Sequence, residues 1–530
     1  MAEFLHILSE QYDYPQLVEE VLRELANKEF NNNDTKGPKS VSAFMIKLSE
    51  LTPRLVNKQM TLLVKQLDSE AYTLRCAIIE VCGNLIADLS KQEERNENSK
   101  TQINSFFDIL EERFLDTNPY CRCRDIQVCM KLCELEQKFP KRRQKMAELA
   151  ARSLEDKSSN VRRNAIKLLA KMVSTHPFSA MHGGQLSLQE WEQRLQAVET
   201  ELNALKPPAG SPGLAQQPTA DEENVDTALL DDVTTVETEQ QETVPISEEE
   251  KAAAFKKAAE EEAATSETMT RLQLTRKYYT EALRFIEVCQ EAAAIVCQLL
   301  SSKNKSEVIE AMDFFVIMDA YKIEAARTGV RRMLRLIWTK GNSDEGKGVQ
   351  SHLIDCYRGL FFSAPDGFSE NDAANYVARN MISLSFGSSP AELTSLEQLL
   401  SMMMKAEHVP VLVVQKLWQV YGVQRQEISK SQRRGAIIVL GMLAMADPEI
   451  VVKEMGTLLR IGLGQHGRED LVLAKYSCVA LQRINPANQK SHDSKTPFSR
   501  LLNDHAVLVK LASMFEVVSD SKEWYVDCRD

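Results

Sequence analysis

The sequence predicts an all-α protein built from repeated helices, and three observations support this fold class. Residues 41–173 read as consecutive amphipathic helices of about 15–20 residues separated by short polar breaks. Sustained alternation of apolar and polar residues, bounded by turn residues, is not seen, so strands are not expected. Aromatic residues make up 6% of the 530 residues and there are only 20 glycines, which also favours a helical protein.

The predicted helices resemble one another at a regular interval. A segment that begins at Asp68 aligns with segments that begin at Asp116 and Asp156, at offsets of 48 and 40 residues. Each has an acid, small polar residues, a basic residue and then an apolar stripe; the aligned basic residues are Arg75, Arg124 and Arg163. Helical units repeating about every 40–47 residues are typical of the HEAT and armadillo class, so we predict an α-superhelical solenoid.

The charged residues of each repeat are expected to be structural. The acid lies where it can stabilise the positive end of the following helix. The basic residue one turn later is expected to bridge to the acid of the next repeat. The same pattern returns at Arg434 and, 41 residues later, at Lys475, so the array is expected to continue to the end of the chain.

An acidic segment divides the predicted array. Residues 221–262 contain 15 acids and 3 lysines, so they carry the whole net charge of −12. A helix over 188–205 precedes a stretch rich in proline and glycine, and an Ala/Glu/Lys-rich helix begins at Glu248. We therefore predict a HEAT-repeat block over 1–205, a disordered acidic linker over 206–247 and a second HEAT-repeat block over 248–530.

Composition and motifs favour a soluble, non-catalytic protein. The longest apolar run, Ala436–Ala446, is about half of what spans a bilayer, and the N-terminus lacks the pattern of a signal peptide. Cys121, Cys123, Cys129 and Cys133 lack the spacing of a zinc module and are expected inside helix packing. We find no constellation for acid–base or nucleophilic catalysis, and expect no metal, cofactor or small-molecule substrate.

Two glycine patterns resemble nucleotide-binding motifs. Gly341–Gly348 nearly matches a phosphate-binding loop but ends in glycine where a hydroxyl should hold Mg²⁺, and Gly462–Gly467 matches G-x-G-x-x-G. Each is expected to follow a helix, whereas both nucleotide motifs follow a strand. We interpret both segments as connections between helices.

Basic clusters in two neighbouring repeats suggest a surface for DNA. Lysine and arginine side chains on one face of a superhelix can replace the counterions of DNA phosphates, although a solvated helix face explains the same pattern. The candidate DNA contacts are Lys141, Arg142, Arg143, Lys145, Arg162, Arg163 and Lys167.

Three segments, covering parts of 62–77, 329–358 and 440–451, resemble the HEAT-repeat regulatory subunit 1 family of condensin complexes. That resemblance implies a non-catalytic subunit that binds a kleisin, an SMC ATPase head and DNA or chromatin in mitotic chromosome condensation. It also implies that an SMC head docks on a loop with Lys-Gly pairs. The matching residues here are Trp338, Lys340, Gly341, Lys347 and Gly348.

Further expectations follow from the resemblance. The protein should act in the nucleus and on chromosomes, with a cytoplasmic pool. Independently of the resemblance, Ser211 precedes Pro212 in the predicted linker beside the acidic tract and is a candidate phosphorylation site. Because the family's proteins are longer at both ends, we expect this chain to be a fragment or a truncated gene model. The alternative from another class is a HEAT-repeat transport adaptor of the importin or coat kind, in which the acidic insert would occupy a basic cargo groove.

Overall fold

In the computed structural model, most of the described residues are helical. The described residues are 1–30, 34, 36–92, 97–180, 182–205, 248–339, 344–422, 428–484 and 504–519. For 180, 248–265, 344–345 and 517–519 only the backbone is described. Within these ranges the secondary structure consists of helices and turns, without strands, so the predicted all-α class is confirmed. The predicted linker 206–247 lies outside the described residues.

The part of the chain before residue 206 forms helices whose bounds follow the predicted repeats. These helices are α1 (Ala2–Gln11), α2 (Gln16–Asn27), α3 (Lys36–Leu51), α4 (Pro53–Leu63), α5 (Tyr72–Ser90), α6 (Glu97–Arg113), α7 (Pro119–Leu132), α8 (Pro140–Ser153), α9 (Ser159–Ser174) and α10 (Leu188–Leu205). Short 3₁₀ helices span Val64–Asp68, Pro177–Ala180 and His182–Gly184.

Helices continue beyond the linker. They are α11 (Glu248–Leu299), α12 (Lys305–Ala320), α13 (Ala326–Met333), α14 (Asp344–Tyr357), α15 (Glu370–Leu384), α16 (Pro390–Lys405), α17 (Val411–Gly422), α18 (Lys430–Ala444), α19 (Glu449–Val452), α20 (Met455–Gly462), α21 (Gln465–Glu469), α22 (Leu471–Gln482) and α23 (Ala506–Ser519). A 3₁₀ helix spans Leu334–Trp338 and a π-helix spans Arg358–Phe362.

Local sequence signals explain where many of these helices begin. Proline is the first helical residue of α4, α7, α8 and α16, where its missing N–H would have no partner inside the helix. Asn118 and Asn304 accept hydrogen bonds from first-turn N–H groups. Ser389 and Ser429 form capping boxes with glutamate or glutamine three residues on.

The helices stack in the order expected of a repeat array. Helices α3, α5, α7 and α9 pack against one another in sequence, and α9 packs directly against α12. The stacking is close: a Cβ at Gly83 of α5 would lie 2.4 Å from Cγ1 of Val128 on α7. The array therefore continues from α9 to α12 across the 130 residues between Ser174 and Lys305.

The described chain forms two compact units. One unit contains 1–185 together with 287–530, and the other contains 186–286. In the smaller unit, buried Trp191 of α10 meets Tyr279 of α11 edge to face at 5.6 Å. The packing of α9 against α12 joins repeats from both sides of the predicted linker. No helix in the described ranges is long and apolar enough to cross a bilayer.

Candidate interaction surfaces

A ladder of arginine–acid pairs joins neighbouring repeats. Arg75 Nε lies 2.9 Å from Asp116 Oδ2, and Arg122 Nε lies 2.7 Å from Asp156 Oδ2. Both guanidinium groups also donate from Nη1 to a backbone carbonyl six residues earlier, at 2.7 and 2.6 Å. The predicted bridge from one repeat to the acid of the next is therefore confirmed.

The same ladder continues across the linker and returns later in the array. Arg162 Nε on α9 lies 2.6 Å from Oε1 of Glu307 on α12, 145 residues away. Glu307 is fully buried and also accepts a hydrogen bond from the Ser302 hydroxyl at 2.5 Å. Near the end of the array, Arg434 Nε lies 2.7 Å from Oδ2 of Asp470.

The structure corrects the register of two predicted bridges. Arg122 and Arg162 form the ladder, whereas the sequence alignment had assigned Arg124 and Arg163. Arg124 instead contacts Glu80 at 3.3 Å on the preceding repeat. On a helix, a shift of one or two residues moves a side chain through about 100–200° of rotation, so the assigned residues face other neighbours.

Electrostatics of the ladder favour its charged state. Burial alone would raise the pKa of Asp116, but hydrogen bonds from Arg75 and from the Asn118 N–H outweigh it and lower that pKa. The hydrogen bond to Glu307 is the main cause that raises the pKa of Arg162. Both pKa shifts show that the folded chain favours the charged forms of Asp116 and Arg162. The ladder therefore stabilises the stacking of the repeats.

Most of the candidate DNA contacts already have partners within the chain. Arg142 pairs with Asp108 and Glu111, at 2.6 and 2.9 Å. Arg143 is buried and donates to the Met172 and Thr175 carbonyl oxygens. The other two engaged residues are Arg162, in the ladder, and Lys167, which lies 2.8 Å from Glu310.

The remaining three candidates are less engaged. Lys141 and Lys145 are exposed on α8, and neither lies within ion-pair distance of an acid in the described part of the chain. Arg163 is half-buried on α9, and its Nε has no hydrogen-bond partner among the described residues. The structure thus reduces the free positive charge of this surface to Lys141, Lys145 and Arg163.

Trp338 presents an exposed aromatic ring, and hydrogen bonds hold the segment that carries it in place. Trp338 is 55% exposed, and its indole N–H donates to the Ser395 hydroxyl oxygen at 3.0 Å. The Gln350 side-chain amide donates to the Ile337 and Thr339 carbonyl oxygens at 2.8 and 2.9 Å. The backbone on the N-terminal side of residues 340–343 is therefore held against α14.

The predicted SMC-head loop is described only in part. Lys340 and Gly341 lie outside the described residues. Lys347 and Gly348 lie in the first turns of α14 and are exposed. A Cβ at Gly348 would have no heavy atom within 4 Å, so internal packing does not require glycine there. Ser211 also lies outside the described residues.

Sequence analysis did not identify the positive face of α13 as a candidate surface. Arg327 and Arg332 are exposed on α13 and Arg335 is exposed on the 3₁₀ helix that follows it, and none of the three lies within ion-pair distance of an acid among the described residues. Arg331 instead donates to the Phe386 and Gly387 carbonyl oxygens at 2.6 and 3.0 Å. The signal in the sequence is four arginines within nine residues, three of them lying away from the apolar positions of α13.

The cysteine cluster is part of helix packing, as predicted. Cys121, Cys129 and Cys133 are buried and Cys123 is half-buried on α7. Cys121 Sγ lies 3.6 Å from the Sγ of Cys76 on α5. Burial raises the pKa of Cys129 and Cys133, which is typical of inert packing thiols.

Both glycine patterns lie in helical surroundings. The 3₁₀ helix Leu334–Trp338 precedes the first pattern, of which 341–343 lie outside the described residues. The second pattern connects α20 to α22 through the short α21. A Cβ at Gly464 would lie 1.9 Å from the Arg460 carbonyl oxygen, and one at Gly467 would lie 1.8 Å from that of Gly462. These two glycines are explained by close backbone packing.

Three curated relatives named condensin complex subunit 1 align with nearly the whole chain. The Schizosaccharomyces pombe protein is 44% identical over 528 residues, which are 99% of this chain and 44% of that protein. The Saccharomyces cerevisiae protein is 40% identical over 543 residues, 99% of this chain and 46% of its own length. The Xenopus laevis protein is 25% identical over 587 residues, which cover 94% of this chain and 42% of that protein. These homologues confirm the resemblance found in the sequence, and the chain spans less than half the length of each.

Two solved structures that align with most of this chain are only distantly similar to it. Importin beta aligns with 92% of this chain and 56% of its own, at a TM-score of 0.34 and 11% identity. The Kap95:Nup1 complex aligns with 98% of this chain and 55% of its own, at the same score and identity. Scores this low carry no functional argument. No family model matches the chain.

Proposed function

We propose that the chain is a non-catalytic regulatory part of a condensin complex that binds a kleisin, an SMC ATPase head and DNA. In this role it supports mitotic chromosome condensation in the nucleus and on chromosomes. The observation that carries the proposal is the 44% identity to a condensin complex subunit 1 over 99% of the chain. A helical scaffold whose charged residues join repeats, as in the ladder, is consistent with a binding role.

The proposed SMC-head site consists of Trp338, Lys340, Gly341, Lys347 and Gly348. An exposed indole of this size is a common anchor of protein interfaces because it buries a large apolar area. Lys347 adds an exposed positive charge, and Gly348 leaves space for the backbone of a partner to approach. Arg335, on the 3₁₀ helix that ends at Trp338, adds a further exposed positive charge beside the indole, which favours an acidic partner.

The proposed DNA contacts differ in whether their positive charge is free to bind a phosphate. Lys141 and Lys145 can release counterions from DNA phosphates because no internal acid neutralises them among the described residues. Arg162 and Arg143 would have to give up structural hydrogen bonds before binding DNA. We therefore assign any direct DNA contact in this region mainly to Lys141, Lys145 and Arg163.

The decisive experiment is a pull-down of the full chain with a purified kleisin and with purified SMC heads. We expect both to be retained at physiological salt. Binding to neither partner, by this chain and by a full-length relative, would refute the condensin proposal. A transport adaptor would instead retain a basic cargo peptide and release it when an excess of the acidic segment 221–262 is added.

A further inference from the structure

A histidine, a cysteine and an aspartate come together where α12 packs against α14. Asp313 lies on α12, and His352 and Cys356 lie on α14. One ligand atom from each residue lies within 4.8 Å of the other two. His352 Nε2 lies 2.7 Å from Asp313 Oδ1. The spacing of four residues places His352 and Cys356 on the same face of one helix.

The donor atoms suit one kind of metal ion. Imidazole nitrogen, thiolate sulfur and carboxylate oxygen together match zinc, whereas magnesium and calcium prefer oxygen ligands only. Zinc binds these donors at about 2.0–2.3 Å, which sets neighbouring donors about 3–4 Å apart. The His352 and Asp313 atoms are 2.7 Å apart and the three ligand atoms lie within 4.8 Å of one another, so the side chains must shift to reach this spacing when an ion binds.

The burial of the three side chains allows an ion both to enter and to be held. The side chains of His352 and Asp313 are 30% and 45% exposed, so an ion can reach them from solvent. Cys356 is only 7% exposed and would bind from the core side. Three protein ligands leave the fourth tetrahedral position to water.

We propose that Asp313, His352 and Cys356 bind a zinc ion between α12 and α14. The ion replaces the direct hydrogen bond between Asp313 and His352 with two metal–ligand bonds, which displaces the proton of that bond, and adds a third bond to Cys356, whose thiol releases its proton to solvent. It thereby links α14, which carries Lys347, to the repeat array. The site is independent of the proposed function because no partner contributes to it.

The test is a titration of the full, reduced chain with Zn²⁺ or Co²⁺ alone. We expect one ion per chain and, with Co²⁺, a thiolate-to-metal absorption band in the near ultraviolet. Cys356→Ser and His352→Gln should each weaken binding at least tenfold, and Cys356→Ser should also remove the band because it removes the thiolate. Helicity measured by circular dichroism verifies that every variant folds.

Matched controls separate the site from the other thiols and imidazoles. Cys297→Ser alters a thiol that is 6% exposed, nearly the same burial as Cys356. His408→Gln alters a half-buried histidine outside the cluster. Both controls should bind the ion as tightly as the parent chain. Equal binding by all variants, or no binding by the folded parent chain, would overturn the proposal and leave an ordinary His352–Asp313 ion pair.

Discussion

Two regions rich in arginine use their charges in opposite ways. From α5 to α12, Arg75, Arg122 and Arg162 each pair with an acid on the next repeat. On α13, exposed arginines lie without acids within ion-pair distance in the described part of the chain. The first set stabilises the stacking of repeats and the second remains available to a partner. A count of basic residues therefore does not locate a binding surface until their internal partners are known.

The largest expected effect follows from breaking the ladder at its most buried acid. Arg162→Ala leaves fully buried Glu307 without its counter-charge, so we expect the free energy of unfolding to fall by about 3–5 kcal/mol. Urea unfolding followed by circular dichroism measures this loss. The double variant with Glu307→Gln should recover part of it because a neutral amide needs no counter-charge.

The matched control for that variant is Lys167→Ala on the same helix. Lys167 is 43% exposed and pairs with Glu310, so its removal should cost only about 0–1 kcal/mol. Equal losses for Arg162→Ala and Lys167→Ala would show that burial does not distinguish the ladder from ordinary surface pairs.

The next largest effect concerns the available charges. Lys347→Asp should weaken binding to an SMC head about tenfold, since it reverses an exposed charge in the proposed interface. Biolayer interferometry with the purified head measures the change, and it should appear at unchanged helicity. Lys475→Asp is the control, because Lys475 is also exposed in the first turns of a helix. Similar affinities for both variants would remove Lys347 from the interface.

A buried acid without a partner sharpens the contrast with the paired acids of the ladder. Asp125 on α7 is fully buried, and neither carboxyl oxygen has a hydrogen-bond partner among the described residues. Burial raises its pKa well above the ordinary range, so the folded chain favours the protonated form. The contribution of Asp125 to the free energy of unfolding is therefore fully present below the pKa of its carboxyl in the unfolded chain, near 4. It declines as pH rises from there towards the pKa in the folded chain.

Asp125→Asn should consequently raise the thermal midpoint at pH 8 by a few degrees and change it little near pH 4. Melting curves at both pH values measure the difference. The ladder acid Asp116 has a lowered pKa and should behave in the opposite sense: its contribution is present above the unfolded pKa and is lost as pH falls through the folded pKa. A gain from Asp125→Asn that is equal at both pH values would exclude ionisation as its cause.

The smallest expected effect concerns DNA. The affinity for DNA falls as salt rises, so a plot of log affinity against log salt has a negative slope. Replacing Lys141 and Lys145 by glutamine should make this slope shallower by about 2, because two phosphate contacts are lost. Fluorescence anisotropy over a salt series measures the slope. The control replaces Lys430 and Lys475, which are also exposed. An unchanged slope in the first variant would mean that the α8 lysines are simply solvated.

The sequence was informative where the helical period or the repeat pattern is regular. The Asp68, Asp116 and Asp156 repeats predicted the Arg75–Asp116 bridge, and helical periodicity predicted α10 with its observed bounds. The repeat spacing did not resolve Arg122 from Arg124, because both lie on the same turn of a helix. Composition predicts a polar linker but does not reveal the contact of α9 with α12, which depends on residues 145 positions apart.

The cluster of Asp313, His352 and Cys356 was missed for the same reason. Its ligands lie on two helices, 39 residues apart, and no short motif joins them. The α13 arginines were visible in the sequence, but their availability depends on which acids the fold brings near them. The recurring spacing thus predicts a contact between neighbouring repeats, as for Arg75 and Asp116, whereas contacts outside the repeat pattern require the packing.

The direct contact of α9 with α12 also has a mechanical consequence. A pulling force along the array passes from one helix to the other through the Arg162–Glu307 pair and the surrounding core, and it bypasses the chain between them. The register between α9 and α12 is therefore set by the residues of these two helices themselves.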